Sequence, residues 1–275
     1  MTQLHIFEEI LSEKDERIDL ARACLMIAQD AYPGLDVERY LGDLERMAIR
    51  LRGRIPHSGQ AEERVVALNQ FLYGELGFWG NTENYYDPRN SYLNDVIDRQ
   101  TGIPLTLSLV AITVGGRAGL TVEGVGLPGH FVVKAVEGSR EVLFDPFHEG
   151  RLLAPRECEV LVEQVTGSPF NATPEALTAA PLLLIVVRLL TNLKAIYLRT
   201  SDFGRAVRII ERLRQLLPDD PLQQRDLGAT LLHAGRPGRA VDYLEAYLQA
   251  MPDAEDEEAV QQLLRKARGE VARWN

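Results

Sequence analysis

Shifted by 34 residues, the C-terminal third of the chain falls on itself. Leu193-Lys194-Ala195 lands on Leu227-Gly228-Ala229, and Gly204-Arg205-Ala206-Val207 on Gly238-Arg239-Ala240-Val241. Leu217-Pro218-Asp219 lands on Met251-Pro252-Asp253. A repeat of this period is a helix–turn–helix unit that cannot bury its apolar side alone, so neighbouring units must stack. From about Leu182 onward the pattern reads as helix throughout, and the helix over Glu257–Arg273 can cover one end of the stack.

The preceding part has a different texture. Leu4, Ile6, Ile10 and Leu11, then Ile18, Leu20, Ala21 and Leu25, recur at helical spacing. Pro33-Gly34 breaks the chain, and a second amphipathic helix carries Val37, Leu41, Leu44, Met47 and Leu51. A third covers Ala61 to Leu76. A polar, aromatic loop from Gly77 to Asn90 follows, with Phe78, Trp79, Tyr85 and Tyr86. Ser91 to Ile97 reads as a short helix capped by Asn90 or Ser91. Pro104 opens a buried helix and Gly119 ends it. Strand signals cover Leu120–Gly126, Phe131–Val136 and Glu141–Asp145, with a turn at Gly138-Ser139. A helix followed by a strand meander predicts an α+β domain, here over residues 1–166, ahead of an all-α repeat domain over residues 180–275.

Composition narrows the function classes. Of 275 residues, 45% are hydrophobic, enough for a sizeable core without a metal or disulfide staple. A net charge of −10 argues against a nucleic-acid partner. The longest apolar run, Leu182–Val187, is far short of the roughly 18 residues of a membrane span. Glu8, Glu9, Glu13, Asp15, Glu16 and Asp19 do not suit an export signal. With two separated thiols, Cys24 and Cys158, the chain reads as cytoplasmic. His57 and His148 have no spacing that suggests a metal, and no glycine-rich phosphate loop is present, so neither metal nor cofactor is expected.

One constellation carries chemistry. A turn centred on Gly138-Ser139 sets Phe131 or Val132 opposite Asp145, with His130 one or two positions away. An imidazole held by a carboxylate is the base-and-orienter half of a nucleophilic triad; it is also a common way to satisfy a buried histidine. Thr106 and Ser108, early in the Pro104 helix, are hydroxyls that either reach His130 or bond a preceding carbonyl. Asn90, Asn94, Trp79 and Pro104 are the candidate pocket wall.

The tracts NSYLNDVIDRQTGIPLTLS, VGLPGHFVVKA and EVLFDPF, in that order, resemble the transglutaminase-like fold, a papain-related Cys-His-Asp arrangement. Together with LLTNLKAIY and the following units, they resemble the bacterial Sir-B type family, which joins such a domain to tetratricopeptide repeats. The resemblance covers roughly Pro33 to Leu264 and implies that His130 and Asp145 match the family's histidine and aspartate. It also implies a cysteine at the start of the helix that Gly119 ends, where this chain has Pro104. Cys24 and Cys158 lie elsewhere in the sequence.

The expected function is therefore a non-catalytic protein acting in protein–protein interaction or regulation, with a protein or peptide partner taken by the repeats. The rival is a cysteine-independent hydrolase of amide or ester bonds, using Ser108 or Thr106 with His130 and Asp145. Between Arg188 and Arg239, basic residues outnumber acidic ones two to one, which suits either an acidic peptide or a solvated face.

Overall fold

The computed structural model describes residues 18–56 and 59–273. The helical spacing of Leu4–Leu11, the acidic residues before Ile18 and His57 lie outside them. The chain divides into two compact units, Met1–Leu189 and Leu190–Asn275.

Among the described residues, the first unit starts with α1 (Leu20–Gln29), capped by Asp19, whose carboxylate accepts the Arg22 N–H at 3.0 Å. Next come α2 (Val37–Arg52) and α3 (Ala61–Asn69), and α3 runs on into one wide turn of π-helix over Gln70–Glu75. The loop contains β1 (Trp79–Gly80), which pairs in parallel with β2 (Thr101–Gly102). Between them lie a 3₁₀ turn, Pro88–Asn90, and α4 (Leu93–Arg99). The expected cap is displaced: α4 starts after Tyr92, which makes no side-chain cap, because the Asn90 side chain is committed to the loop.

Helix α5 (Pro104–Ala118) is buried along nearly its whole length and ends at Gly119, whose φ of +99° suits a residue without Cβ. It packs on an antiparallel meander of β3 (Thr121–Leu127), β4 (His130–Glu137), β5 (Arg140–Asp145) and β6 (Arg151–Leu153). Val133 pairs with Phe144 and Val136 with Glu141, the register expected from a turn at Gly138-Ser139. The fourth strand, three residues long, carries too little pattern to be read from sequence. Helix α6 (Pro155–Thr166) covers the sheet's other face, where Val125, Leu127 and Val132 pack with Leu153, Cys158, Leu161 and Val162. Cover on both faces explains why β4 reads as an apolar run broken only by Lys134, which pairs with Glu141, and not as an alternating one.

Helix α7 (Leu182–Arg199) runs through the division into the second unit. The second unit continues with α8 (Phe203–Leu216), α9 (Pro221–His233), α10 (Pro237–Ala250) and α11 (Glu257–Ala272). Val207, Ile210, Leu227, Leu231 and Ala240 form one apolar cluster, and Leu244, Tyr247, Val260 and Leu264 another. The repeat is visible in packing: a Cβ on Gly228 would stand 2.7 Å from Leu244, so the paired helices touch at backbone distance there. The fold is α+β with an all-α continuation, as the sequence predicts. No helix among the described residues is long and apolar enough to cross a membrane.

Candidate functional site

The site is built where β4 begins and β5 ends. The Leu127–His130 turn, with Gly129 at φ +68°, delivers His130 as the first residue of β4. Arg188 steadies it, donating to the carbonyls of Leu127 at 3.0 Å and His130 at 2.6 Å while its guanidinium lies over the Phe131 ring. Asp145 closes β5 and starts a 3₁₀ turn over Pro146–His148, its Oδ1 accepting the Phe147 N–H at 2.9 Å.

That turn produces the site's central feature. Asp145 Oδ2 receives two imidazoles, His130 Nε2 at 2.9 Å and His148 Nδ1 at 2.7 Å. The two rings stack with centroids 5.9 Å apart, and Phe147 meets each of them edge-on. Asp145 is 1% exposed and His130 4%, while His148 is open to solvent over about half of its side chain. Burial works to raise the Asp145 carboxyl, but the bonds from His130 and His148 outweigh it and hold it well below the usual carboxylate range. The bond to Asp145 in turn raises His148. Since His130 Nε2 is occupied, Nδ1 is the nitrogen left for other chemistry, and it has no hydrogen-bond partner among the described residues.

A cavity of about 730 Å³ opens at these rings. Pro104, Gly129, His130 and His148 line it, with Tyr85, Tyr86 and Phe147 on its aromatic side. Leu161 and Val165 of α6 close another wall, and Arg151 and Glu157, ion-paired at 3.5 Å, add charges of both signs.

The other sequence candidates fall elsewhere. Thr106 Oγ1 accepts the Ile103 N–H at 3.1 Å and donates to the Asn90 carbonyl at 2.6 Å. Gly102 leaves the room this needs, since a Cβ there would stand 2.6 Å from that hydroxyl. Ser108 Oγ is buried and has no hydrogen-bond partner among the described residues, so neither hydroxyl is bonded to His130. Asn90 is not a cavity wall. It is fully buried, donates to the carbonyls of Asn84 and Tyr85, and accepts from Asn81 at 3.1 Å. It thereby shapes the loop that carries Tyr85 and Tyr86 into the cavity. Asn94 lies instead by a separate surface hollow with Tyr32 and Tyr40. Trp79 is 45% exposed on β1 and does not line the cavity either.

Neither thiol is placed for attack. Cys24 is buried in α1 and Cys158 in the core under α6, and burial pushes the Cys158 thiol up to about 11 and Cys24 further still.

Two residues were illegible in the sequence. His148 looked isolated there and is corrected by the structure: a 3₁₀ turn brings it back over Asp145, three residues earlier. Tyr73, on the π-turn, has a buried hydroxyl with no partner among the described residues, pushed upward by burial and by the charge of Asp145. A Pro directly after the acid, in Asp145-Pro146-Phe147-His148, was the available signal for the turn.

Residues 38–191 match the sequence pattern of the transglutaminase-like superfamily. The chain belongs to that superfamily. Residues 193–265 match the tetratricopeptide repeat, so this transglutaminase-like protein has the order expected from its tracts. It is 34% identical over 260 residues to a UPF0162 protein of Xylella fastidiosa (strain Temecula1 / ATCC 700964), covering 94% of this chain and 92% of the relative. A UPF0162 protein of Vibrio cholerae is 25% identical over 220 residues, covering 80% of this chain and 81% of its own. Mouse F-box only protein 21 shares 36% identity over 106 residues, 36% of this transglutaminase-like chain and 17% of that protein. No solved structure matches.

Proposed function

We propose that this transglutaminase-like protein binds instead of transferring acyl groups, and that it works as a cytoplasmic interaction or regulatory protein. In this reading residues 1–166 supply a recognition cleft, and residues 180–275 take a protein or peptide partner. The observation that carries it is the composition of the cavity wall beside His130. The residue contributed by the start of α5 is Pro104, which has no nucleophilic atom. The first hydroxyl along α5 is Thr106, spent on two backbone groups, and both thiols are buried and pushed upward. An oriented imidazole without a nucleophile retains a hydrogen-bonding and aromatic surface of the kind that holds a ligand.

Charge supports a partner chosen by shape more than by acidity. In the repeats, Arg205 pairs with Asp202, Arg225 with Asp226 and Asp256, Arg239 with Glu211, and Lys194 with Asp226. These acids offset part of the arginine excess read from the sequence within the unit.

The test is affinity capture from extract with the full chain, run beside assays of ester and amide hydrolysis and amine transfer. A specific partner retained by the His130→Ala variant, with no turnover by the native chain, is the expected result. Turnover abolished by Ser108→Ala or by His130→Ala would establish the hydrolase instead.

A further inference from the structure

His130, Asp145 and His148 gather two imidazole nitrogens and a carboxylate oxygen within 4.8 Å of one another. We propose that this trio is a binding site for a divalent first-row transition-metal ion such as zinc, with its remaining coordination positions turned toward the cavity. Two histidines and one carboxylate form a donor set of intermediate softness, suited to zinc, cobalt or iron(II) and poorly suited to calcium or magnesium. Three protein ligands leave positions open for water or for an oxygen of a bound molecule.

The spacing is close to what coordination requires. Bonds of about 2.0–2.2 Å meeting at 90–110° put neighbouring donor atoms about 3.0–3.5 Å apart. The two nitrogens stand 2.9 and 2.7 Å from Asp145 Oδ2, and all three atoms lie within 4.8 Å of one another, so an ion enters once the nitrogen–oxygen pairs open slightly and the two nitrogens settle to the same spacing. His148 can supply that movement, because it sits half-exposed on a single 3₁₀ turn. The other two ligands are held. Phe147 N–H fixes Asp145 Oδ1 and leaves Oδ2 to the ion, and Arg188 grips the His130 carbonyl.

A neutral imidazole only exchanges its tautomer on binding, and a protonated one gives up one proton to solvent. Each imidazole must turn a lone pair toward the ion, so the proton on His130 Nε2 moves through solvent to Nδ1, and that on His148 Nδ1 moves to Nε2. His130 Nδ1 has no partner among the described residues to obstruct this. Nearby charge is not prohibitive, because Arg151 is paired with Glu157 in the same cavity. The site does not depend on whether the repeats bind a partner, so the two can fail separately.

The experiment uses the full chain, stripped with EDTA and titrated with Co²⁺ while its visible absorption is followed. One saturable equivalent is expected, with ligand-field bands that Zn²⁺ displaces. His148→Ala and His130→Gln are each expected to weaken Co²⁺ binding at least about tenfold, with circular dichroism showing both folded. The Cys24→Ser, Cys158→Ser double variant is expected to bind as the native chain does. Absence of a one-equivalent signal in the native chain, or unchanged affinity in His148→Ala, overturns the site.

Discussion

Thr106 and Ser108 stand two positions apart on α5, and both side chains are buried. The Thr106 hydroxyl joins the start of α5 to Asn90 and so to the loop that enters the cavity, whereas the Ser108 hydroxyl has no partner among the described residues. Removing the first breaks two bonds and strands a buried carbonyl; removing the second relieves an unpaired polar group. Thr106→Val is expected to cost about 1–3 kcal/mol in denaturant unfolding. Ser108→Ala should be neutral or stabilising by up to about 1 kcal/mol. The reverse order would mean that Ser108 has a bond in solution. Asp95, half-buried on α4, offers a pH test. Burial raises its carboxyl above the ordinary value, and the Tyr32 hydroxyl at 2.6 Å and the nearby Arg99 only partly offset this. With the folded value above the unfolded one, the folded state holds the proton more tightly, so stability falls as pH rises from about 4 upward. Asp95→Asn keeps an acceptor for Tyr32 and removes the charge. Its Tm should exceed that of the native chain at neutral pH, and the gap should close at about pH 3. A native advantage at neutral pH would refute the sign.

At the scale of elements, the site depends on a turn and what packs against it. The Pro146–His148 turn carries His148 to Asp145, and β1 presses on it from the loop side. Gly80 permits that approach: a Cβ there would lie 2.5 Å from the Phe147 carbonyl oxygen and 2.6 Å from its ring. Because the first of these atoms is backbone, the turn itself must shift. Gly80→Ala is expected to destabilise by about 1–3 kcal/mol, as overpacking does. It should also move the His148 ring resonances in an NMR spectrum; undisturbed resonances would show that the turn stands without β1. Much of this level was legible beforehand. Pro104 and Gly119 bracket α5, and the β4–β5 register followed from one turn. The short parallel pair β1–β2 was not, since two-residue strands have no period to read. The helix cap at Asn90 was misread because a buried asparagine serves a loop as readily as a helix end, and only the neighbours decide.

For the whole molecule, an acidic chain with a net charge of −10, part of whose basic stretch is paired, should hold polyanions poorly. It is expected in the flow-through of a heparin column at low salt. Retention there would require a basic face that the internal ion pairs do not leave. The two compact units divide at Leu189, inside a helix, and not in the stretch between residues 166 and 180 where the change of sequence pattern falls.

The sequence alone determined the architecture, because helical periodicity, strand runs and the repeat are local regularities that need no partner to be read. It also determined that proline stands at the start of α5, and that His130 and Asp145 lie near each other across a hairpin. Only the tertiary structure decided that His148 completes a three-residue cluster on one carboxylate oxygen, that Thr106 is spent on the backbone, and that Tyr85 and Tyr86 line the cavity in place of Trp79 and Asn90. Those outcomes depend on turns and side-chain directions set by packing between segments far apart in the chain, which leave no period in the sequence.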